Sequence, residues 1–487
     1  MNRVAAEALS ALPPELAIDE AEPAAGTAAA LSALSADLSR RPLPVGRLTR
    51  GWILGSLQAR IAAGYVAAWL RGSFASEDEQ RRLRNEAHLS AALRLLGGMS
   101  YLRGAVMKAG QALANYPTLV PEEFIETLGA LHFEAPPMHF ALLQELLRDE
   151  LGGEPETLFA EFDRRPFAAA SLGQVHRARL RDGRLVAVKV QYPGIRRAIR
   201  DDFANLNALL LPMRLRRDAA QLRVQIEDIR EMVERETDYE SEARFTRRAA
   251  EVLAGLEGVV VPAVHERFST GRVLTTDLLF GSHVDGFLAQ RPSQERRDRA
   301  GALLMHAGLR LYYAGRFCWA DPHPGNVLFL DDGRLGLIDF GSCRTFDDDE
   351  WAFLRAMEVA FHEGGEALEH GLRIATATEP GATLDPEQAR LFRAVTEWLW
   401  EPLRRPGPFD FGSRDYFSRG MSLLSEALVR RHTRAAPVNL WLQRSFLGLR
   451  ALAYRLGARV DLAALHVEES GKAWPELRDR RGGSQGL

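Results

Sequence analysis

Apolar positions along the chain switch repeatedly between helical and alternating periods, and each switch marks a different kind of segment. From Leu48 to about Leu151 they recur at three and four residues, which predicts helices punctuated by Pro117, Pro121, Pro136 and Pro137. From Phe162 the pattern alternates. FAAASLGQVHRARLRDGRLVAVKVQ, beginning at Phe167, predicts two strands around the turn signal Asp182-Gly183. In the second strand Val186 and Val188 share one face, and Lys189 takes the other with Ala187. Gly194 to about Val252 returns to a charge-laced helical pattern. Strands are predicted again over Val259–Gly281, as VVVPAVHERF and GRVLTTDLLFG, the second forming an edge. A helix over Arg296–Gly315 buries Leu303, Leu304, Ala307 and Leu311. VLFL and RLGLI then form a hairpin about Asp332-Gly333, and helices run to about Leu465 with Trp398, Trp400, Trp441 and Phe446 as core. Residues 1 to 47 read as a mobile tail and the last twenty as loose.

The polar residues at the strand ends carry the chemistry. Asp321 is followed five residues later by Asn326, and Asp339 opens Asp339-Phe340-Gly341. A hairpin between them brings Asn326 and Asp339 to one end of the sheet, as hard oxygen donors suited to magnesium and phosphate. Protein-kinase catalytic loops have the same order, D-x-x-x-x-N and then D-F-G. Val186-Ala187-Val188-Lys189 matches the strand pattern whose lysine holds nucleotide phosphates. Where kinases carry a glycine-rich loop, this chain has Ala168-Ala169-Ala170-Ser171 ahead of Leu172-Gly173-Gln174. Alanine cannot enter left-handed conformations freely, so this loop is expected to cover ATP differently from a glycine loop. Glu236, Asp238 and Glu242 lie in ETDYESEA; Asp238 and Glu242 share a helical face, and Glu242 is the candidate partner for the strand lysine. No A-P-E segment follows Gly341. The chain runs through Asp347-Asp348-Asp349-Glu350, an acidic helix start, which disfavours docking of protein substrates.

Composition narrows the field. With 487 residues the chain can hold two or three domains, and 62 basic against 65 acidic residues give a net charge of −3. Nucleic-acid binding by bulk charge is therefore excluded. Cys318 and Cys343 lack metal-ligand spacing and read as packing residues of a reducing compartment. Neither a secretory leader nor a transit peptide is read at the amino terminus, where Asp19, Glu20 and Glu22 fall. No run of eighteen apolar residues is present; Trp52–Leu70 comes nearest and is interrupted by Gln58 and Arg60. That segment reads as an amphipathic helix, packed on the protein or lying on a membrane with Trp52, Tyr65 and Trp69 at headgroup depth.

KxGQ (Lys108 to Gln111) in a helical preface, AAASLGQVH, VAVKV, ETDYESEA, ADPHPGN and DFG together resemble the UbiB/AarF family of atypical kinase-like proteins, from about residue 90 to residue 460. The resemblance implies an α+β, two-lobed protein-kinase-like fold with a helical N-terminal extension and helical insertions. On it the extension spans 48–160, the N-lobe 161–281 and the C-lobe 282–466. It implies that Lys189 binds phosphate with Glu242 as its partner, that Asn326 and Asp339 hold magnesium, and that Asp321 occupies the catalytic-base position. Trp319 stands near the place of the histidine in ordinary kinase catalytic loops. Lys108 and Gln111 are implied to reach the active site, with Glu236 and Asp238 against that helix in a regulatory role. ATP and magnesium are the implied cofactors, and the family's association is with ATP hydrolysis, membrane lipids and ubiquinone biosynthesis. The expected activity is a magnesium-dependent ATPase or phosphotransferase in the cytoplasm or at a membrane surface, with an isoprenoid lipid as partner. A nucleotide-regulated binding protein without catalysis and a protein kinase acting in trans are the alternatives.

Overall fold

The computed structural model describes residues 138–200, 230–363, 386–429 and 437–471, with 366, 368 and 371, and omits 139, 171, 198, 232 and 233 within those ranges. The amino-terminal tail, the 52–70 helix, Lys108, Gln111 and Ser171 lie outside the described residues. The first described helix, α1 (Phe140–Leu151), places Leu143, Leu146 and Leu147 at three- and four-residue spacing and buries all three. A one-turn helix, α2 (Pro155–Leu158), starts on a proline whose fixed φ suits the first helical position.

Strands β1 (Glu161–Phe162), β2 (Ala168–Ala170), β3 (Gly173–Arg179) and β4 (Leu185–Gln191) follow. With β6 (Val273–Asp277) they form an antiparallel sheet in the order β1-β3-β4-β6, and β2 pairs onto β3. The β3–β4 turn places Gly183 at φ +91°, a conformation that only glycine adopts without strain. Alternation on β4 is as predicted: Val186, Val188 and Val190 are buried against Leu143, Leu146 and Leu147 of α1, leaving Lys189 on the opposite face. The helix that closes the extension therefore shares its core with the N-lobe sheet. Helix α3 (Tyr239–Leu253) packs Tyr239 and Ala243 against Leu274 of β6.

Two expectations from the sequence need correction here. VVVPAVHERF is not one strand: only β5 (Val259–Val260) is extended, and Glu266–Phe268 is a 3₁₀ turn. Pro262 lacks the N–H that a continuing ladder needs. Strand β5 pairs parallel with β10 (Leu335–Leu337) of the other lobe, and only Val264 bridges back, to Thr276. Asp238 does not share a helical face with Glu242. It is the N-cap of α3, its carboxylate accepting from the Ser241 amide at 3.2 Å.

The C-lobe starts at β7 (Gly281–Ser282) and α4 (Val284–Ala289) and is organised around α5 (Gln294–Tyr313). Ser293 caps α5 by accepting from the Arg296 amide, and Leu304, Ala307 and Leu311 are buried along it. Strand β8 (Phe317–Trp319) leads to β9 (Val327–Leu330) and β10 (Leu335–Leu337), whose sheet has the order β5-β10-β9-β7. Strand β11 (Cys343–Thr345) returns to β8, setting Cys343 opposite Trp319. Asp347 then caps α6 (Asp348–Glu363): it accepts from the Glu350 amide at 2.8 Å, and Glu350 accepts in turn from the Asp347 amide at 3.3 Å. The reciprocal cap turns the chain into a helix a few residues after Gly341. Helices α7 (Pro386–Arg404), α8 (Arg414–Val429), α9 (Pro437–Leu456) and α10 (Leu462–Ser470) complete the lobe, with a small ladder of β12 (Phe409–Asp410) and β13 (Arg459–Val460). Among the described residues no helix is long and apolar enough to cross a membrane.

Candidate active site

Backbone pairing assembles the site before any side chain is considered. The β9–β10 register sets Leu337 opposite Val327, and the Ile338 amide donates to the Asn326 carbonyl at 3.1 Å. Asn326 and Asp339 thus leave the hairpin at one end, helped by Gly333 at φ +83° in its turn. The β8–β11 ladder continues with the Ala320 amide donating to Ser342 at 2.9 Å, which brings Asp321 alongside the Asp339-Phe340-Gly341 turn. Phe340 is fully buried and anchors that turn in the C-lobe core.

Lys189 reaches this corner from the N-lobe. Its ammonium donates to both oxygens of Glu242, at 2.7 and 2.9 Å, and to Asp339 Oδ2 at 3.0 Å. Lys189 and Asp339 are 150 positions apart in the chain. The lysine lies over the Tyr239 ring, 5.0 Å from its centre, so a π face supports the cation from below. Burial opposes the charge on Lys189, yet Asp339 and Glu242 hold its pKa well above the ordinary value. Burial pushes Glu242 up to about 7, reinforced by the charge of Asp339 and resisted by Lys189. Two carboxylates share one ammonium, which holds the lysine oriented and charged.

The remaining donors are fixed in turn. Asp339 Oδ1 accepts from the Gly341 amide at 2.9 Å. Asn326 donates its amide hydrogen to the Asp321 carbonyl at 2.9 Å, which leaves its own amide oxygen as a donor atom for a metal. A carboxylate and an amide oxygen beside a lysine ammonium are a hard donor set, and they fit magnesium. The Asp321 carboxylate is approached by Arg444 of α9 at 3.6 Å and His323 at 3.5 Å. Trp319 donates its indole N–H to the Asp339 carbonyl at 3.0 Å and is almost fully buried beside Phe340. The residue in the histidine's place therefore holds the Asp339-Phe340-Gly341 turn by a hydrogen bond.

Of the other residues read from sequence, Ala168, Ala169 and Ala170 form β2, paired with Val175, Gln174 and Gly173. Gly173 sits so close to β4 that a Cβ there would stand 2.2 Å from the Val190 carbonyl oxygen. Glu236 is buried and accepts from the Ser342 hydroxyl at 2.9 Å, next to Gly341. Asp238 faces Arg196 at 3.9 Å. Arg444, Ser342 and Tyr239 were not read from the sequence. Arg444 lies in LQRSFLGLRALAYRLGARVDL, a stretch that also resembles the family, but nothing there separates it from the other arginines; Ser342 follows Asp339-Phe340-Gly341, and Tyr239 lies within ETDYESEA.

Comparison with known proteins agrees with this geometry. Residues 130–367 match the ABC1 atypical kinase-like domain. The chain is 28% identical to a Caenorhabditis elegans protein named atypical kinase coq-8, mitochondrial, over 88% of this chain and 57% of that one. It is 32% identical to AarF domain-containing protein kinase 1 of Xenopus laevis over 53% of this chain and 50% of that one. The chain thus spans a little over half the length of these relatives. A Mycobacterium tuberculosis protein solved in complex with erythromycin superposes with a TM-score of 0.54 at 26% identity, over 81% of this chain and 98% of that one. A kinase-type lysine, glutamate and aspartate joined across two lobes, an alanine-rich strand in place of a glycine loop, and these likenesses place the chain in the UbiB/AarF family of atypical kinase-like proteins.

Proposed function

We propose that the chain binds ATP with magnesium in the cleft between the lobes and hydrolyses it or transfers its terminal phosphoryl group. The proposed acceptor or cargo is a membrane lipid or a prenylquinone (ubiquinone) precursor met at a membrane surface. The observation that carries this reading is the Lys189 ammonium bridging Glu242 and Asp339 from opposite lobes. Asn326 and Asp339 would hold magnesium, which when bound neutralises charge on the phosphate oxygens. Glu242 orients Lys189 towards those phosphates, and Ala168, Ala169 and Ala170 of β2 form the roof over them. Asp321, steadied by Arg444 and His323, takes the place of the base that aligns a water or hydroxyl for in-line attack and receives its proton. The short passage from Gly341 into α6 supports a small acceptor over a protein one. Lys108 and Gln111, with Glu236 and Asp238, are proposed to regulate access to the cleft.

The test measures ATP turnover of wild type and Asp339→Asn with and without vesicles containing anionic lipid or a prenylphenol. Turnover that rises with the vesicles and falls about 10²- to 10³-fold in the variant is expected. Equal rates in the two proteins exclude the mechanism, and tight ATP binding without any turnover assigns the cleft to a nucleotide-regulated binding protein.

A further inference from the structure

Three side chains that the proposed reaction does not use meet inside the helical part of the C-lobe. Glu358 and His362 stand four residues apart on one face of α6, and His466 faces them from α10. All three are buried. Glu358 Oε1 is 3.3 Å from His466 Nε2 and 3.7 Å from His362 Nε2, and one ligand atom of each lies within 4.8 Å of the others. Around a tetrahedral zinc ion with bonds of about 2.0–2.1 Å, neighbouring donor atoms stand roughly 3.3–3.5 Å apart. The two separations from Glu358 Oε1 are close to that spacing.

We propose that Glu358, His362 and His466 bind one zinc-class divalent cation, at a structural site separate from the nucleotide cleft. The surroundings of each group fit this role. Arg355 holds the other carboxylate oxygen of Glu358, and Oε1 is buried without a hydrogen-bond donor. Ser470 lies 3.4 Å from His466 Nδ1, so that nitrogen is engaged and Nε2 is left to face the cluster, the arrangement ligating histidines adopt. The Tyr313 hydroxyl lies 2.9 Å from His466 Nε2, a hydrogen bond that a bound ion would replace. Two imidazoles and one carboxylate select zinc over magnesium, unlike the oxygen-only set of Asn326 and Asp339. A bound ion would tie α10 to α6 across the end of α5, joining elements more than 100 positions apart.

The experiment strips the full chain with a chelator, dialyses it against Zn²⁺, counts retained metal by mass spectrometry and records the visible spectrum of the Co²⁺-loaded form. Expected are one zinc per chain, a higher Tm with Zn²⁺ than after chelation, and the absorption of tetrahedral cobalt with nitrogen ligands. His362→Gln together with His466→Gln abolishes all three, and Asp339→Asn leaves them intact. The cobalt spectrum of wild type decides the matter if the double variant fails to fold. A wild type that retains no zinc and shows no tetrahedral cobalt bands overturns the proposal, as does retention undiminished in a folded double variant. The cluster is then only a histidine–carboxylate network around Arg355.

Discussion

Trp319 shows how a single side chain can tie a strand end to the neighbouring turn with one hydrogen bond while filling the core. Its indole N–H donates to the Asp339 carbonyl, and its ring fills the core beside Phe340. Trp319→Phe removes the donor but keeps most of the packing. A neutral hydrogen bond is worth about 0.5–1.5 kcal/mol, so kcat should fall by roughly tenfold at most. KM for ATP should change little and the Tm by a few degrees. Turnover unchanged in Trp319→Phe would remove any positioning role for this residue. The acids and the lysine of the site were legible because their types and intervals are fixed by phosphate chemistry. Arg444 was not, since nothing in its local sequence separates it from the other arginines of α9; only the packing of α9 sets it 3.6 Å from Asp321.

The hairpins are the elements most completely read from sequence, for turn chemistry and alternation are local. β3 carries a feature that alternation did not reveal. His176 stacks on Phe162, with ring centres 5.1 Å apart, and Nδ1 donates to the Asp163 carbonyl at 2.8 Å. Its Nε2 accepts from the Gln174 amide at 2.8 Å, and the Gln174 oxygen accepts from the Met138 amide at 2.7 Å. The chain of donors fixes a neutral imidazole, because a proton on Nε2 would oppose the Gln174 N–H. Burial accordingly lowers the pKa of His176, against the pull of the Asp163 carbonyl. The folded state then binds this proton less tightly than the unfolded chain does. Its contribution is full above about pH 6.5, the ordinary value, and is lost as pH falls through the lower folded value. Tm measured from pH 7.5 to 5.5 should therefore fall more steeply for wild type than for His176→Gln. Parallel curves would show that this histidine does not titrate on unfolding. The boundary of an element such as β5 was misread because its partner, β10, lies in the other lobe, and pairing across lobes leaves no local periodicity.

At the scale of the molecule, two cores flank the site: one between α1 and the N-lobe sheet, the other around α5. Cys343 lies in the second, and Cys318 in a smaller apolar cluster beside it with Tyr312, Phe346 and Trp441. Burial pushes the Cys318 thiol up to about 12 and Cys343 well above its ordinary value, so neither is a thiolate near neutrality. A thiol reagent at pH 8 should leave both unlabelled in the native protein and label both in one step as the C-lobe melts. Labelling of either before that transition would show that the lobe opens locally. Residue types and spacing gave the hairpins and singled out the lysine and the oxygen-bearing side chains, because both follow from local periodicity and the order of short motifs; the two-lobed class came from the family those motifs resemble. Only the tertiary structure decided that Lys189 is shared between Glu242 and Asp339, that Asp238 caps a helix, and that Glu358, His362 and His466 converge. Those outcomes depend on which distant elements pack together, and that is set by burial of apolar surface summed over the whole chain.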